Sequence, residues 1–148
     1  MKNILIVIDE IEFKYFELNK LVTNFWLVYE YLRRSNNVDI TTKNLLFQKR
    51  NIPFAKTFKA SIESNNIIKS KNYKITNLND YDIIFFRPDP PVDIDYINAT
   101  YILSYVNQEK TMIINSAEAL REKNEKLYVN EFQGLIPDNI VSCDEKII

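Results

Sequence analysis

Three short, unbroken apolar runs constrain this chain more than any other feature: Ile4 to Ile8, Ile83 to Phe86 and Met112 to Ile114. A half-exposed strand alternates apolar with polar residues, whereas a strand covered on both faces is apolar throughout. The runs therefore predict an α/β fold in which a mostly parallel sheet is flanked by helices. Each run is closed by a polar residue, Asp9, Arg87 and Asn115 in turn. Ligands of open parallel sheets collect at the carboxyl ends of the strands, so these three positions are candidate site residues. A strand end that merely meets water would be polar as well.

The segments between the runs supply the helices. Apolar residues at Leu18, Leu21, Val22, Phe25, Tyr29 and Leu32 follow helical spacing, and Arg33 and Arg34 suit the negative end of the helix dipole. A short strand near Val38 to Thr41 completes a βαβ unit. From 44 to 74 the pattern turns to β-type stretches, including Thr57 to Ile62, with a turn at Asn65-Asn66, which predicts a β-hairpin excursion. Asp95 is a candidate cap for a second helix carrying Ile97, Tyr101, Ile102, Tyr105 and Val106 on one stripe. Two short helices are expected at Ala117 to Lys123 and Glu125 to Phe132, then Gly134 and Pro137 as breakers and a strand at Asn139 to Ser142.

Composition removes several function classes. A chain of 148 residues with 46% apolar content can bury roughly 70% of its unfolded surface in one core. Its 19 basic and 20 acidic residues nearly cancel and form no long block, which argues against nucleic acid and anionic membranes as partners. No apolar run approaches the roughly 18 residues of a membrane span, and no leader-like segment precedes the first strand, so the cytoplasm is the expected compartment. The chain has one cysteine and no histidine, which excludes an internal disulfide and disfavours zinc and Cys/His chemistry. With Gly134 as its single glycine it carries neither a G-x-G-x-x-G fingerprint nor a P-loop.

The exit from the second run reads Phe-Arg-Pro-Asp-Pro-Pro-Val-Asp, from Phe86 to Asp93. Prolines forbid helix and ladder hydrogen bonding there, so the loop is stiff and holds Arg87 and Asp89 at the strand end. A guanidinium in that place suits two-pronged pairing with a substrate carboxylate; the alternative is internal pairing with Asp89 or Asp93. Either Asp89-Pro90 or Pro90-Pro91 is a candidate cis bond.

Four segments in fixed order carry a family resemblance: Asp-Tyr-Asp-Ile-Ile-Phe-Phe-Arg-Pro-Asp-Pro-Pro from Asp80, Tyr-Ile-Asn-Ala-Thr-Tyr-Ile-Leu from Tyr96, Ile-Ile-Asn at Ile113, and Leu-Arg-Glu-Lys-Asn-Glu-Lys-Leu from Leu120. Together they resemble the N-terminal domain of prokaryotic glutathione synthetase, and a weaker match extends over nearly the whole chain. The resemblance implies a Rossmann-like pre-ATP-grasp domain over 1–123 and the beginning of an ATP-grasp region over 124–148. It implies membership of an ATP-dependent ligase that joins γ-glutamylcysteine to glycine with ATP and Mg²⁺ through an acyl phosphate.

Within that family the first domain lines the peptide crevice and contributes to contacts between copies of the chain. Carried over, this makes Asp9, Thr23, Arg87, Asp89 and Asn115 substrate-binding candidates and Lys126, in Asn124-Glu125-Lys126-Leu127, a nucleotide-binding candidate. The chain departs from the family pattern at Glu10, at Val22-Thr23, which leaves only Thr23 of an acidic-plus-hydroxyl pair, and at Ser116-Ala117, where a proline is missing. The family's glycine-rich loop and metal carboxylates lie outside the matching residues, so no catalytic or metal-binding residue and no independent turnover are expected. The alternatives are a non-catalytic module that docks with a separate ATP-grasp domain or subunit through Leu120, Leu127 and Phe132, or the front of another ATP-grasp amino-acid ligase.

Overall fold

The structure is a computed structural model that describes residues 1–15, 23–64 and 66–147. At its centre lies β1 (Asn3–Ile8), paired in parallel with β2 (Asn37–Thr42) on one side and β7 (Ile83–Phe86) on the other; β8 (Met112–Ile114) extends the parallel section beyond β7. Having neighbours on both edges and cover on both faces, β1 buries Ile4 through Ile8 completely.

Strand periodicity divides these side chains between two cores. Leu5 and Val7 join Ile84 and Phe86 against α3 (Ile94–Leu103) and α4 (Ala117–Glu122), through Tyr96, Ala99, Leu103 and Ala117. Ile4, Ile6 and Ile8 join Phe85 against α2 (Thr23–Arg33), through Phe25 and Val28. Each such burial is worth roughly 1.5–3 kcal/mol, against at most about 1 kcal/mol for an exposed ion pair such as Lys2–Asp82. The apolar runs therefore dictate the architecture.

The expected hairpin region is larger than a single hairpin. β3 (Leu46–Lys49), β4 (Ile52–Glu63), β5 (Asn66–Lys69) and β6 (Lys74–Asn77) form an antiparallel extension in which long β4 pairs with β2, β3, β5 and β6. Lys49 faces Ile52, and Arg50 and Asn51 both take positive φ (52° and 62°), the backbone twist that a two-residue hairpin loop requires. Asn66 already pairs with Glu63, so it belongs to β5 and not to the turn; Asn65 lies outside the described residues.

Several boundaries differ from expectation. Helix α2 ends at Arg33 as predicted, with Arg33 and Arg34 both paired to Glu30, while Leu18, Leu21 and Val22 lie outside the described residues. The cap of α3 is Asp93, whose side chain accepts the Tyr96 N–H at 2.8 Å; Asp95 sits inside the first turn. Both aspartates fit the residue preference, and the proline loop ends early enough for the first to take the place. The second late helix stops at Tyr128 as α5 (Glu125–Tyr128) and tightens into a 3₁₀ turn over Val129–Phe132. No strand forms at Asn139–Ser142: Ile140 and Val141 are exposed, and among the described residues no strand pairs with them. Among the described residues, no helix is long and apolar enough to cross a membrane.

Candidate functional site

Across the sheet the four parallel strands lie in the order β2-β1-β7-β8, so the direction of winding reverses between β1 and β7. Chain segments leaving two such strands diverge to opposite faces and leave a crevice between them. Here the crevice is a cleft of about 820 Å³, and Asp9, Thr23, Arg87 and Asp89 all line it. Four of the five substrate-binding candidates thus converge. The fifth, Asn115, lines an adjacent cavity of about 260 Å³ that shares Thr23 and Arg87 with the cleft.

Arg87 leaves β7 with its backbone N–H bonded to the Val7 carbonyl at 2.8 Å, which anchors it at the end of the sheet. Its Nε donates to Oδ1 of Asn24 at 2.8 Å, and Nη2 reaches Oγ1 of Thr23 at 3.5 Å. The internal pairing with Asp89 or Asp93 does not form; Asp93 instead receives Lys43 Nζ at 3.0 Å. Arg87 is exposed, and with its Nε edge held by Asn24 the guanidinium keeps its outer edge toward the cleft. Asp89 is exposed on the proline loop, whose Pro90-Pro91 bond is cis, as is Ile114-Asn115.

Asp9 caps α1 (Glu10–Tyr15) by accepting the Glu12 N–H at 2.9 Å. The Glu12 side chain does not fold back on the cap. It turns inward, where its Oε2 accepts from Nδ2 of Asn24 at 2.7 Å, and it is only 8% exposed. Burial raises its carboxyl above the ordinary carboxylate range; Asp9 and Asp89 push in the same direction, while the Asn24 hydrogen bond and Arg87 oppose them. Asn24, itself buried, therefore bridges Glu12 and Arg87 with its two amide atoms.

Across the cleft, Lys43 is 11% exposed on its side chain and ties the end of β2 to the cap of α3 through Asp93. The Tyr96 N–H, and after it Lys43, hold the Asp93 carboxyl below its ordinary range. Glu12, Asn24 and Lys43 were absent from the residues singled out in the sequence. Signals for two of them existed: Glu12 stands at the third helical position after a capping aspartate, and Asn24 directly follows Thr23. Only tertiary contact turns either toward Arg87.

Lys126 lies elsewhere, in a groove of about 600 Å³ that also contains Pro90, Asn115, Arg121, Lys123 and Asn124. Asn124 caps α5 by accepting the Lys126 N–H at 2.9 Å. Three cations around one groove suit an anion such as a nucleotide phosphate. Magnesium finds no such match: among the described residues no group of three or more His, Cys, Asp or Glu could hold a metal ion.

Residues 2–121 match the family model for the N-terminal domain of prokaryotic glutathione synthetase. This chain belongs to that family. The glutathione synthetase of Salmonella typhimurium strain LT2 is 34% identical over 125 residues, covering 81% of this chain and 39% of the relative. That of Buchnera aphidicola (Schizaphis graminum) is 30% identical over 122 residues, covering 81% and 38%. The Nostoc glutathione synthetase is 45% identical over a shorter stretch of 73 residues, covering 49% of this chain and 22% of the relative. The chain thus spans between about a fifth and two fifths of the length of these curated relatives. The α/β architecture with helices on both faces of the parallel strands is the pre-ATP-grasp fold expected of this family domain.

Proposed function

We propose that the cleft between β1 and β7 forms one wall of the γ-glutamylcysteine site of a glutathione-forming ligase, which joins that dipeptide to glycine at the expense of ATP. The reading rests above all on Arg87, anchored on the last residues of β1 and steered by Asn24 at the switch point of the parallel strands. Held in this way, a guanidinium can grip a carboxylate without first losing side-chain freedom, so the domain's contribution is positional.

ATP would supply the phosphoryl group that activates the peptide carboxylate, and the Arg121–Lys123–Lys126 groove would meet its phosphates at the boundary with an ATP-grasp region beginning near Asn124. The described residues offer no Mg²⁺ site, so metal chemistry belongs to an ATP-grasp domain or subunit. Exposed Leu127 (56%), Phe132 (49%) and Leu135 (85%) favour docking of such a domain at this end of the chain; Leu120 instead packs partly against the core.

Titrating the isotope-labelled chain with γ-glutamylcysteine tests the reading. Amide shifts should concentrate at Asp9, Asn24, Arg87 and Asp89 and vanish in Arg87→Ala. A titration to millimolar peptide that leaves those resonances in place overturns it. The chain by itself should release no ADP that depends on both γ-glutamylcysteine and glycine.

A further inference from the structure

We propose that the cleft selects a zwitterionic α-amino-acid head, with the carboxylate on Arg87 and the ammonium between Glu12 and Asp89. The inference rests on the reading of the cleft given above, and specifies which end of γ-glutamylcysteine enters first: the γ-glutamyl α-carbon, with the cysteine end pointing outward.

The charge balance of the cleft carries the argument. Among the described residues six carboxylates line it, against two cations, Lys43 and Arg87. Two of the acids are already occupied: Asp93 holds Lys43, and Glu10 accepts from Asn44. Asp9 is partly used by the helix cap. Glu12, Asp89 and Asp95 remain; the two aspartates are exposed, and of them Asp89 is the one whose charge acts on the Glu12 carboxyl. Glu12 is more than nine-tenths buried, and its Oε1 has no hydrogen-bond partner among the described residues although Oε2 does. A buried carboxylate oxygen without a partner costs free energy until a donor arrives.

A metal ion does not fit that demand, because among the described residues the acids do not converge into a chelating group. An ammonium does, since it donates three hydrogens in a loose geometry and is itself charged. The guanidinium stands on the far side of Asn24 from Glu12, linked to it through one amide. Cation and anion sites are therefore held at a fixed separation by a single side chain. Carboxylate and ammonium on one carbon atom match such a pair of neighbouring, opposite sites, whereas a plain carboxylic acid or a plain amine satisfies only one of them. The raised carboxyl of Glu12 agrees, as an arriving ammonium replaces the proton that burial favours.

Calorimetric titration of the unmodified chain tests this with three ligands: γ-glutamylcysteine, glutaryl-cysteine, which lacks the α-ammonium, and 4-aminobutanoyl-cysteine, which lacks the α-carboxylate. Each analogue should bind at least about tenfold more weakly than the parent peptide. In Glu12→Gln the preference for the ammonium should disappear while that for the carboxylate persists, and Arg87→Lys should do the reverse. Equal affinity for all three ligands overturns the head-group assignment and leaves the cleft as the peptide site. Absence of γ-glutamylcysteine binding overturns both.

Discussion

Arg87 and Glu12 never touch, yet they are coupled: the amide of Asn24 accepts from Arg87 Nε at 2.8 Å and donates to Glu12 Oε2 at 2.7 Å. One residue of α2 thereby sets the direction of a guanidinium from β7 and the placement of a carboxylate from α1. Buried polar links of this kind act as a unit, because losing the middle member strands both ends.

Asn24→Ala should accordingly cost about 1–3 kcal/mol of stability, since it strips a buried carboxylate of the donor to its Oε2. Denaturant unfolding of the variant measures the loss. Asn24→Asp should be worse above neutral pH than below pH 5, because it sets a second carboxylate against Glu12.

Glu12 gives stability a definite dependence on pH. Its folded carboxyl titrates above the ordinary 4.5, so the folded chain holds this proton longer than the unfolded chain. Stability from this group is present below 4.5 and declines as pH rises through the folded value. Glu12→Gln should therefore gain on the parent chain between pH 4.5 and neutrality, in a difference curve from melts at several pH values; a flat difference counts against the burial argument.

Asp93 works in the opposite sense. The Tyr96 N–H and Lys43 hold its carboxyl below the ordinary 3.8, so its contribution is present above that pH and is lost as pH falls through the lower folded value. Asn can still cap α3, so Asp93→Asn should remove the charge-dependent part alone and make the acid limb of unfolding shallower. Parallel acid titrations followed by circular dichroism decide the point.

Tyr81 secures the outer end of the sheet, where its hydroxyl donates to Asp39 of β2 at 2.6 Å. Burial, and then Asp39, raise its phenol well above the ordinary range, so it stays a donor throughout the working pH range. Tyr81→Phe should cost about 1–2 kcal/mol, the lower part of the range for a charged acceptor because Asp39 keeps partial access to water. Chemical denaturation checks it, with no change expected in γ-glutamylcysteine binding.

The sequence by itself determined the parallel core and the position of the crevice. Apolar runs at Ile4–Ile8 and Ile83–Phe86 leave no polar face for water, so both strands must be covered on both sides, and their closing residues Asp9 and Arg87 must emerge at one sheet edge. Local rules also placed α2's end and named Pro90-Pro91 as one of two candidate cis bonds. Where two residues satisfied one rule equally, as Asp93 and Asp95 do for a cap, or where an apolar segment such as Asn139–Ser142 had no partner strand, local pattern was insufficient.

Only the tertiary structure decided that Glu12, Asn24 and Lys43 belong to the site. The capping Asp9 marks Glu12 as a first-turn helix acid but not as a buried one; its link to Arg87 runs through Asn24 of α2 and spans residues far apart in the chain. Hydrogen bonds between distant side chains depend on where packed elements bring them, and a one-dimensional pattern records the elements and not their meeting.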